Sequence, residues 1–449
     1  RDRDGKLAPH FVCTANIDAN DGGEAIVAGN ERVLAARLSD ARFFWQQDLK
    51  TPLEEQAKKL EQIVFHQKLG TVADKVERVA KLARWLVEQG IVSDELRVPR
   101  EVLADEAERA ARLAKADLVT GMVGEFPELQ GVVGGYLARA QGEPDAVADA
   151  IRDHYKPVGQ GDEVPTAPVT VAVSLADKLD TVGAFFGAGM PATGSKDPFA
   201  LRRAALGVVA IIERNALRLP LKRAVHESQR WIAESGLGLA GSQQQLLDFL
   251  ADRLKVQQRE AGVRHDLIDA VFALGGEDDL VRLLARVTAL QAFVETGEGS
   301  NLLAGYKRAA NILKKENWDL PRVMASRGEQ GIPQTGEEDP LSMVEEPALA
   351  RAVADMAQGS AAPADVPVEE TTLTHALELA EPLAATAISG EDFSAAMAAL
   401  APLRAPIDAF FDKVVVNDAD AQVRARRLNL LARFRDAVHR VADFSRIEG

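Results

Sequence analysis

The stretch Asp197-Pro-Phe-Ala-Leu-Arg-Arg-Ala-Ala-Leu-Gly-Val-Val-Ala-Ile-Ile212 indicates most directly which class of fold this chain adopts. Asp197 can accept hydrogen bonds from backbone N–H groups as a helix N-cap. Pro198 would occupy the first helical position, where the N–H group that proline lacks has no partner within the helix. The apolar residues that follow keep the 3.6-residue spacing of one buried face, namely Phe199, Leu201, Ala205, Val208, Val209 and Ile212. The stretch predicts an amphipathic helix with Arg202 and Arg203 at the edge of its apolar face.

Helical spacing continues over most of the chain on both sides of this start. It runs from Pro52 to Phe186 with breaks at glycine and proline, and again over residues 278–316 and 373–447. Alanine is abundant and aromatic residues are only 5%, which favours helices over sheets. The sequence therefore predicts a mainly all-α, multi-domain protein.

The first 50 residues contain the one strand that we expect in this otherwise helical chain. Residues 7–18 predict a short N-terminal strand, followed by a helix from about Asn30 whose apolar face includes Val33, Leu34 and Leu38. A strand needs partners, and none is evident nearby. The chain also opens without an initiator methionine or a signal peptide. We therefore expect a fragment of a longer protein.

Composition excludes several classes of protein. The 449 residues are 47% hydrophobic and 27% charged, which excludes disorder throughout. No run approaches the roughly 18–20 apolar residues that a spanning helix needs, so no membrane partner is expected. A single cysteine, Cys13, excludes an intrachain disulfide and a multi-cysteine zinc site, and it fits a reducing compartment. We expect a cytoplasmic protein.

The net charge of −15 hides an uneven distribution. Residues 326–400 hold 14 acidic and two basic residues, and 326–370 contain little bulky apolar content, which predicts an acidic loop insertion. Residues 201–230 carry seven basic residues against two acidic ones, and 421–449 carry seven arginines against three acidic residues. These are local basic faces on an acidic chain.

One glycine-rich segment nearly matches a phosphate-binding loop. Gly189-Met-Pro-Ala-Thr-Gly194-Ser195-Lys196 has the serine and lysine in the wrong order, although the lysine must reach the phosphates and the following hydroxyl must bind Mg²⁺. The preceding residues also continue a helical pattern instead of a strand. We interpret the segment as a turn that leads to Asp197.

His66, Asp117 and Asp177 are candidate metal ligands. Their order resembles the His…His-Asp…Asp arrangement of HD-class phosphohydrolases, in which a bound metal activates water. Ala116 stands where that class places its second histidine. We therefore interpret the three residues as a vestigial site that holds no metal, with a divergent HD phosphohydrolase as the alternative.

A third candidate is a face for polyanions. Lys307, Asn311 and either Lys314 or Lys315 lie on adjacent turns of one predicted helix, next to Tyr306 and Arg308. The last predicted helix carries a second basic group, formed by Arg424, Arg427 and Arg435. Such faces suit phosphate contacts, with asparagine and tyrosine available for base edges or stacking.

Several stretches together resemble one family, in order and over nearly the whole chain. In the first half they are Ala36-Arg-Leu-Ser-Asp-Ala41-Arg-Phe-Phe, Phe65-His-Gln-Lys-Leu-Gly70, Lys115-Ala-Asp-Leu-Val-Thr120, Glu125-Phe-Pro-Glu-Leu-Gln-Gly131, Ala176-Asp-Lys-Leu-Asp180 and Thr193-Gly-Ser-Lys-Asp-Pro-Phe-Ala-Leu-Arg-Arg203. Towards the end they are Tyr306-Lys-Arg-Ala-Ala-Asn-Ile, Phe410-Phe-Asp-Lys-Val414 and Arg440-Val-Ala-Asp-Phe-Ser445. The chain resembles the β subunits of bacterial α2β2 glycyl-tRNA synthetases.

The resemblance implies a function that spacing alone does not. In that family the α subunit holds the site for ATP, Mg²⁺ and glycine, and the β subunit supplies most recognition of tRNA(Gly). We thus expect no cofactor and no catalytic residue on this chain, an α subunit and tRNA(Gly) as partners, and no DNA. Lys196, Arg202 and Arg203 become candidate contacts to the tRNA or the α subunit.

The resemblance also implies a domain division. Residues 1–50 would end a preceding domain and connect it onward, 51–195 would be an HD-like helical domain, and 196–277 a helical linker domain. Residues 278–449 would be a helical anticodon-binding domain with the acidic insertion. The alternative to a tRNA-recognition subunit, besides the phosphohydrolase, is a helical scaffold that binds only the α subunit.

Overall fold

The computed structural model describes residues 8–93, 98–159, 161–193, 196–236, 238, 241–275, 277–318 and 366–448. The chain forms two compact units, residues 1–254 and 255–449. Most of the acidic insertion and two residues of the near phosphate-binding loop, Gly194 and Ser195, lie outside the described residues. No helix in the described part of the chain is both long and apolar enough to cross a membrane.

The first unit is helical around one small hairpin. Its helices are α1 (Glu24–Asp48), α2 (Leu53–Lys58), α3 (Val72–Glu88), α4 (Arg100–Leu113), α5 (Gly121–Glu125), α6 (Val132–Ala140), α7 (Asp145–Asp153), α8 (Pro168–Gly187), α9 (Leu201–Arg214), α10 (Leu221–Glu234) and α11 (Gln243–Glu260), the last of which includes the division between the units. Strands β1 (Val64–His66) and β2 (Gly70–Thr71) pair antiparallel, and short 3₁₀ helices span Lys59–Gln62, Ala116–Val119 and Pro127–Leu129.

Helix α8 is the centre of the first unit. Almost all of its side chains are buried, and it packs against α3, α4, α7, α9 and α10. A helix that is apolar on every side is stable only where neighbours cover all of its faces. The few charged groups on α8 are therefore forced into the interior, where they need partners.

The predicted strand is wrong. Residues 8–18 have no strand in the described structure and are almost entirely exposed. An extended segment without a neighbouring strand cannot satisfy its backbone groups in a sheet, so the local sequence alone does not form a strand here. The observed hairpin, β1 with β2, lies inside the region predicted to be helical.

Two predicted helix starts are displaced. Helix α1 begins at Glu24, six residues before Asn30, after Gly23 at φ 95°. Helix α9 begins at Leu201, so Pro198 lies in the preceding turn and not at the first helical position. Asp197 still caps the helix, because its carboxylate accepts the backbone N–H groups of Leu201 and Arg202 at 2.8 and 2.9 Å.

The predicted apolar face of α1 is also not buried. Val33 is 62% exposed and Leu38 58% exposed. Near its end this helix packs on the unit, where the Asp48 carboxylate accepts the backbone N–H groups of Gly121 and Met122, both at 2.9 Å.

The second unit is a bundle. Its helices after α11 are α12 (His265–Phe272), α13 (Leu280–Val294), α14 (Gly297–Lys315), α15 (Val368–Ser389), α16 (Phe393–Leu400), α17 (Arg404–Lys413) and α18 (Ala421–His439), with 3₁₀ helices at Ala401–Leu403 and Phe444–Arg446. Helix α14 packs against α13, α17 and α18, and α15 packs against α16, α17 and α18. The mainly all-α class is confirmed, while the four-part domain division stays a prediction.

Candidate functional site

The interior of the first unit holds a cluster of charged side chains at the position of the predicted vestigial site. The carboxylate of Asp177 on α8 lies 3.1 Å from Nζ of Lys75 on α3 and 3.3 Å from Nζ of Lys115. Burial alone would raise the pKa of Asp177, but the two ammonium groups outweigh it and hold the pKa well below its usual range. Asp177 is therefore an anion held between two buried cations.

His154 completes the surroundings of Lys115. Its Nε2 lies 2.9 Å from Nζ of Lys115, and its Nδ1 lies 2.7 Å from the carbonyl oxygen of Ile151. Burial, and then the charge of Lys115, hold the pKa of His154 well below its ordinary value, so the ring is neutral at pH 7. Nδ1 then donates to Ile151 and Nε2 accepts from the ammonium group. The ring of Tyr155 covers Lys115, with Nζ 3.8 Å from the ring centre.

A second buried pair lies beside this cluster. Asp180 on α8 accepts bonds from Nε and Nη2 of Arg78 on α3 at 2.7 and 3.2 Å, and it also lies 3.3 Å from Nζ of Lys75. All three side chains are almost completely buried. Charge pairs of this kind bind α3 to α8 at fixed positions along both helices, because shifting either helix would leave a buried charge alone.

Asp117 caps the N-terminus of a helix. Its side chain is fully buried, and Oδ2 accepts the backbone N–H groups of Gly131 and Gly134 at 2.6 and 3.1 Å, which caps the start of α6. Burial raises the pKa of Asp117, while these two bonds act in the opposite direction. Two of the quoted stretches, Lys115–Thr120 and Glu125–Gly131, thus meet at one capped helix start.

Gly134→Ala should destabilise the first unit. A Cβ at this position would lie 2.9 Å from Oδ2 of Asp117 and 3.0 Å from Cγ2 of Ile151, so the helix would have to move off its cap. We expect a loss of about 1–3 kcal/mol in the free energy of unfolding, measured by urea denaturation. Gly124→Ala is the control, since its Cβ would meet nothing within 4 Å. A Gly134→Ala variant as stable as the Gly124→Ala variant would contradict the close approach.

His66 makes none of the hydrogen bonds and ion pairs described above for this cluster. It is on β1, its ring packs edge-on against Phe185 and Phe199, and its Nδ1 accepts the backbone N–H of Lys68 at 3.1 Å. The residues present do not fit the metal of the HD class, since ammonium groups surround Asp177 and Asp117 is used as a cap. Throughout the described residues, no three His, Cys, Asp or Glu side chains are grouped so that they could hold a metal ion.

Lys196 precedes α9, and Arg202 and Arg203 lie in the first turn of that helix. The backbones of Thr193 and Lys196 hydrogen-bond to each other in both directions, at 2.9 and 3.2 Å. Lys196 and Arg203 are exposed and Arg202 is half-buried. Arg203 lines a cavity of about 550 Å³ together with Tyr155 and Phe199. Their tRNA or α-subunit contacts stay predictions.

In the second unit the described residues present a polar face on α14. Arg308, Asn311 and Lys314 are exposed at successive turns of the helix, and Lys307 is half-buried beside them. The guanidinium of Arg308 lies 4.4 Å from the ring centre of Phe411 and donates to the Phe411 carbonyl oxygen at 3.4 Å. This contact restricts the arginine before any ligand arrives.

Tyr306 is not on that face. Its side chain is 2% exposed, its ring packs on Phe444, and its hydroxyl lies 3.5 Å from Oδ1 of Asp443. Burial raises the pKa of Tyr306, with Asp443 acting in the same direction. The three quoted stretches around Tyr306, Phe411 and Phe444 therefore meet in space. The first of them is separated from the other two by about a hundred residues or more of sequence.

The three arginines of α18 differ in their surroundings. Arg424 is exposed. Arg427 is buried and its guanidinium is bonded to Glu370 at 2.6 Å and to Asp418 at 2.7 Å, so it holds the bundle together. Arg435 is half-buried and donates to its neighbour Asp436 at 2.8 Å. Any RNA contact by these residues stays a prediction, and Arg424 is the most accessible of them.

Sequence reasoning missed the groups that neutralise the buried charges. Lys75, His154 and Glu370 were not singled out, because their partners lie tens of residues away along the chain. Lys115 did carry a signal, since it directly precedes the Ala116-Asp117 pair of the vestigial motif. Trp318 was also missed; its indole donates to Oδ1 of Asn429 at 3.0 Å, which fixes the ring beside α18.

Comparison with known proteins gives one consistent answer. Residues 1–273 match the family profile described as glycyl-tRNA synthetase beta subunit. The chain is 51% identical over 446 residues to the "Glycine--tRNA ligase beta subunit" of Rhodospirillum centenum, covering 99% of this chain and 57% of the relative. The equally named proteins of Phenylobacterium zucineum and Paracoccus denitrificans are 49% and 46% identical, with 58% and 57% of their lengths covered.

The chain thus spans less than two thirds of the length of these curated relatives. The matched profile nevertheless covers more than half of the chain, and the relatives align along almost all of it. The chain belongs to the glycyl-tRNA synthetase beta subunit family.

Proposed function

We propose that this chain is the tRNA-recognition part of a glycine–tRNA ligase. It would orient tRNA(Gly) for aminoacylation at the active site of a separate α subunit, where ATP, Mg²⁺ and glycine bind. The chain itself would bind no cofactor and perform no adenylation.

The observation that carries the proposal is the exposed line of Arg308, Asn311 and Lys314 on α14 in a chain of this family. Successive turns place these groups roughly 5 Å apart, close to the spacing of phosphates along an RNA strand. The stacking of Arg308 on Phe411 orders one of the cations in advance. Arg424 adds a further exposed cation in the same unit.

The phosphohydrolase alternative is not favoured. Such an enzyme needs a carboxylate free to bind metal, whereas Asp177 is neutralised by Lys75 and Lys115. The scaffold alternative makes a different prediction: the chain would assemble with the α subunit but have no affinity of its own for RNA.

The test is tRNA binding by the assembled ligase over a salt series. We expect tRNA(Gly) to bind more tightly than a copy with a replaced anticodon, with affinity falling steeply as salt rises. Lys307→Ala combined with Arg308→Ala should weaken binding at least about tenfold. The pair should also reduce the slope of log affinity against log salt by roughly 0.7–0.9 for each phosphate that the protein no longer neutralises.

The matched control is Lys50→Ala with Lys58→Ala, which removes two exposed lysines of the first unit. This pair should leave tRNA affinity and salt slope unchanged. If Lys307→Ala/Arg308→Ala also left both unchanged, the assignment of this face would be wrong. Assembly with the α subunit but no RNA binding in any variant would support the scaffold.

A further inference from the structure

The function proposed above does not use the cavity of the first unit that Arg203 lines. This cavity encloses about 550 Å³ between α8, the start of α9 and two connecting segments that contain Glu128 and Tyr155. That volume is within the usual range for sites that bind small molecules. Three of the quoted stretches that carry the family resemblance meet at the cavity, through Glu128, Asp177 and Phe199. The cavity therefore deserves a ligand of its own chemistry.

Lys178 fixes one wall of the cavity before any ligand arrives. Its ammonium group donates to the carbonyl oxygens of Tyr155 and Lys156 and to the hydroxyl of Ser174, all at 3.0 Å. A buried ammonium group needs such acceptors, so these bonds hold the segment after α7 against α8. Helix α9 also approaches the same side chain closely, since a Cβ on Gly207 would lie 2.6 Å from Cε of Lys178. The wall is thus formed by the fold itself.

Phe199 supplies a flat apolar surface to the cavity. Its ring stacks on buried Phe185 with the ring centres 4.2 Å apart, which fixes its orientation. The side chain is nevertheless 38% exposed, so part of the ring stays uncovered beside the cavity. The ring of Tyr155 is less suitable, because Nζ of Lys115 already lies 3.8 Å from its centre. A planar ring of a ligand can therefore stack on Phe199.

The charges in and below the cavity favour an anion. The described buried groups around Asp177 comprise four cations and three carboxylates, namely Lys75, Arg78, Lys115 and Lys178 against Asp117, Asp177 and Asp180. Arg203 adds an exposed guanidinium group to the lining, and guanidinium groups bind phosphate through two parallel hydrogen bonds. Glu128 and Gln130 also line the cavity and are exposed. Their oxygens and amide group match the donors and acceptors on the edge of a purine base.

We propose that this cavity binds a purine nucleoside monophosphate, with the base stacked on Phe199 and the phosphate bonded to Arg203. Glu128 and Gln130 contact the edge of the base. The nucleotide is a ligand here and not a substrate, because two ammonium groups neutralise the carboxylate of Asp177. The site lies in the first unit and is independent of the RNA-binding face proposed on α14.

The experiment is equilibrium dialysis of radiolabelled GMP, AMP and UMP against the full 449-residue chain. The α subunit is left out, because its proposed ATP site could also bind nucleotides. We expect GMP and AMP to bind with a Kd below about 1 mM and to be recovered intact. UMP should bind at least about threefold more weakly, because its smaller ring has less area to stack on Phe199.

Two variants test the assigned contacts. Arg203→Ala should weaken GMP binding by about 10- to 100-fold, since it removes a charge-assisted bond without disturbing the interior. Phe199→Leu should weaken it by about 5- to 100-fold through the loss of stacking, with urea unfolding as the check that the variant is folded. The matched control is Arg214→Ala, which removes another exposed arginine of α9 that does not line the cavity. It should bind GMP as wild type does.

The outcomes separate this inference from the proposed function. Absence of binding of all three nucleotides at about 10 mM would overturn the inference, and so would GMP binding that Arg203→Ala leaves unchanged. If no nucleotide binds but Arg203→Ala weakens tRNA(Gly) binding by the assembled ligase, Arg203 contacts RNA; the inference then fails and the proposed function stands. Lys307→Ala/Arg308→Ala should leave GMP binding unchanged, because both residues belong to the second unit.

Discussion

Asp177→Asn should destabilise the first unit by about 3–5 kcal/mol at pH 7, the usual cost of removing one partner from a buried ion pair. The substitution keeps the shape of the side chain but removes its negative charge, so the ammonium group of Lys115 loses its counter-ion and keeps neutral His154 as a close polar contact. Lys75 keeps Asp180 at 3.3 Å. The measurement is urea unfolding followed by tryptophan emission in a Trp318→Phe background, whose remaining tryptophans all lie in residues 1–254.

The pH dependence of Asp177→Asn provides a second readout. In wild type the pKa of Asp177 is lowered on folding, so its contribution is present above about pH 4 and is lost as the pH falls below that. In the variant the pKa of Lys115, already lowered by burial, should fall further. The unfolded chain then binds more protons than the folded one up to about pH 10.4, so stability should partly recover as the pH rises through the alkaline range.

Asp145→Asn is the control for Asp177→Asn. Asp145 forms an exposed pair with Arg139 at 2.9 Å, and such pairs contribute little. A loss in Asp177→Asn no greater than in Asp145→Asn, at neutral pH, would mean that the buried cluster does not stabilise the fold through its charges.

Glu370→Gln should have a comparable effect on the second unit. Glu370 on α15 is buried and accepts bonds from Arg427 at 2.6 Å and from Arg426 at 2.8 Å. Removing its charge leaves the buried guanidinium of Arg427 paired only with Asp418 among the described residues. We expect a loss of about 3–5 kcal/mol in the free energy of unfolding, followed by the emission of Trp318, which bonds to α18.

Glu369→Gln is the matched control, one residue away on the same helix. Glu369 pairs with exposed Lys413 at 3.1 Å, and its substitution should hardly change the unfolding curve. If both variants had the same free energy of unfolding as wild type, the charge of Glu370 would not be needed to stabilise the buried guanidinium of Arg427.

The sequence by itself determined the mainly all-α class and the family. Helical spacing is a local property, since residues three and four apart share one face of a helix wherever it packs. The long ordered stretches, such as Thr193–Arg203, indicated the family without any structure. Ala116 stands where the HD class has its second histidine, and the expectation that His66, Asp117 and Asp177 form no working metal site stays a prediction.

Tertiary structure decided what each candidate side chain does. Tyr306 and Arg427 have the residue types of an RNA-binding face, yet the bundle buries both, while Arg308 and Asn311 on the same helix as Tyr306 stay exposed. Lys115 became the counter-ion of Asp177 only because α8 brings residue 177 to it. Burial and charge pairing depend on contacts between residues far apart in sequence, and one-dimensional spacing does not specify those contacts.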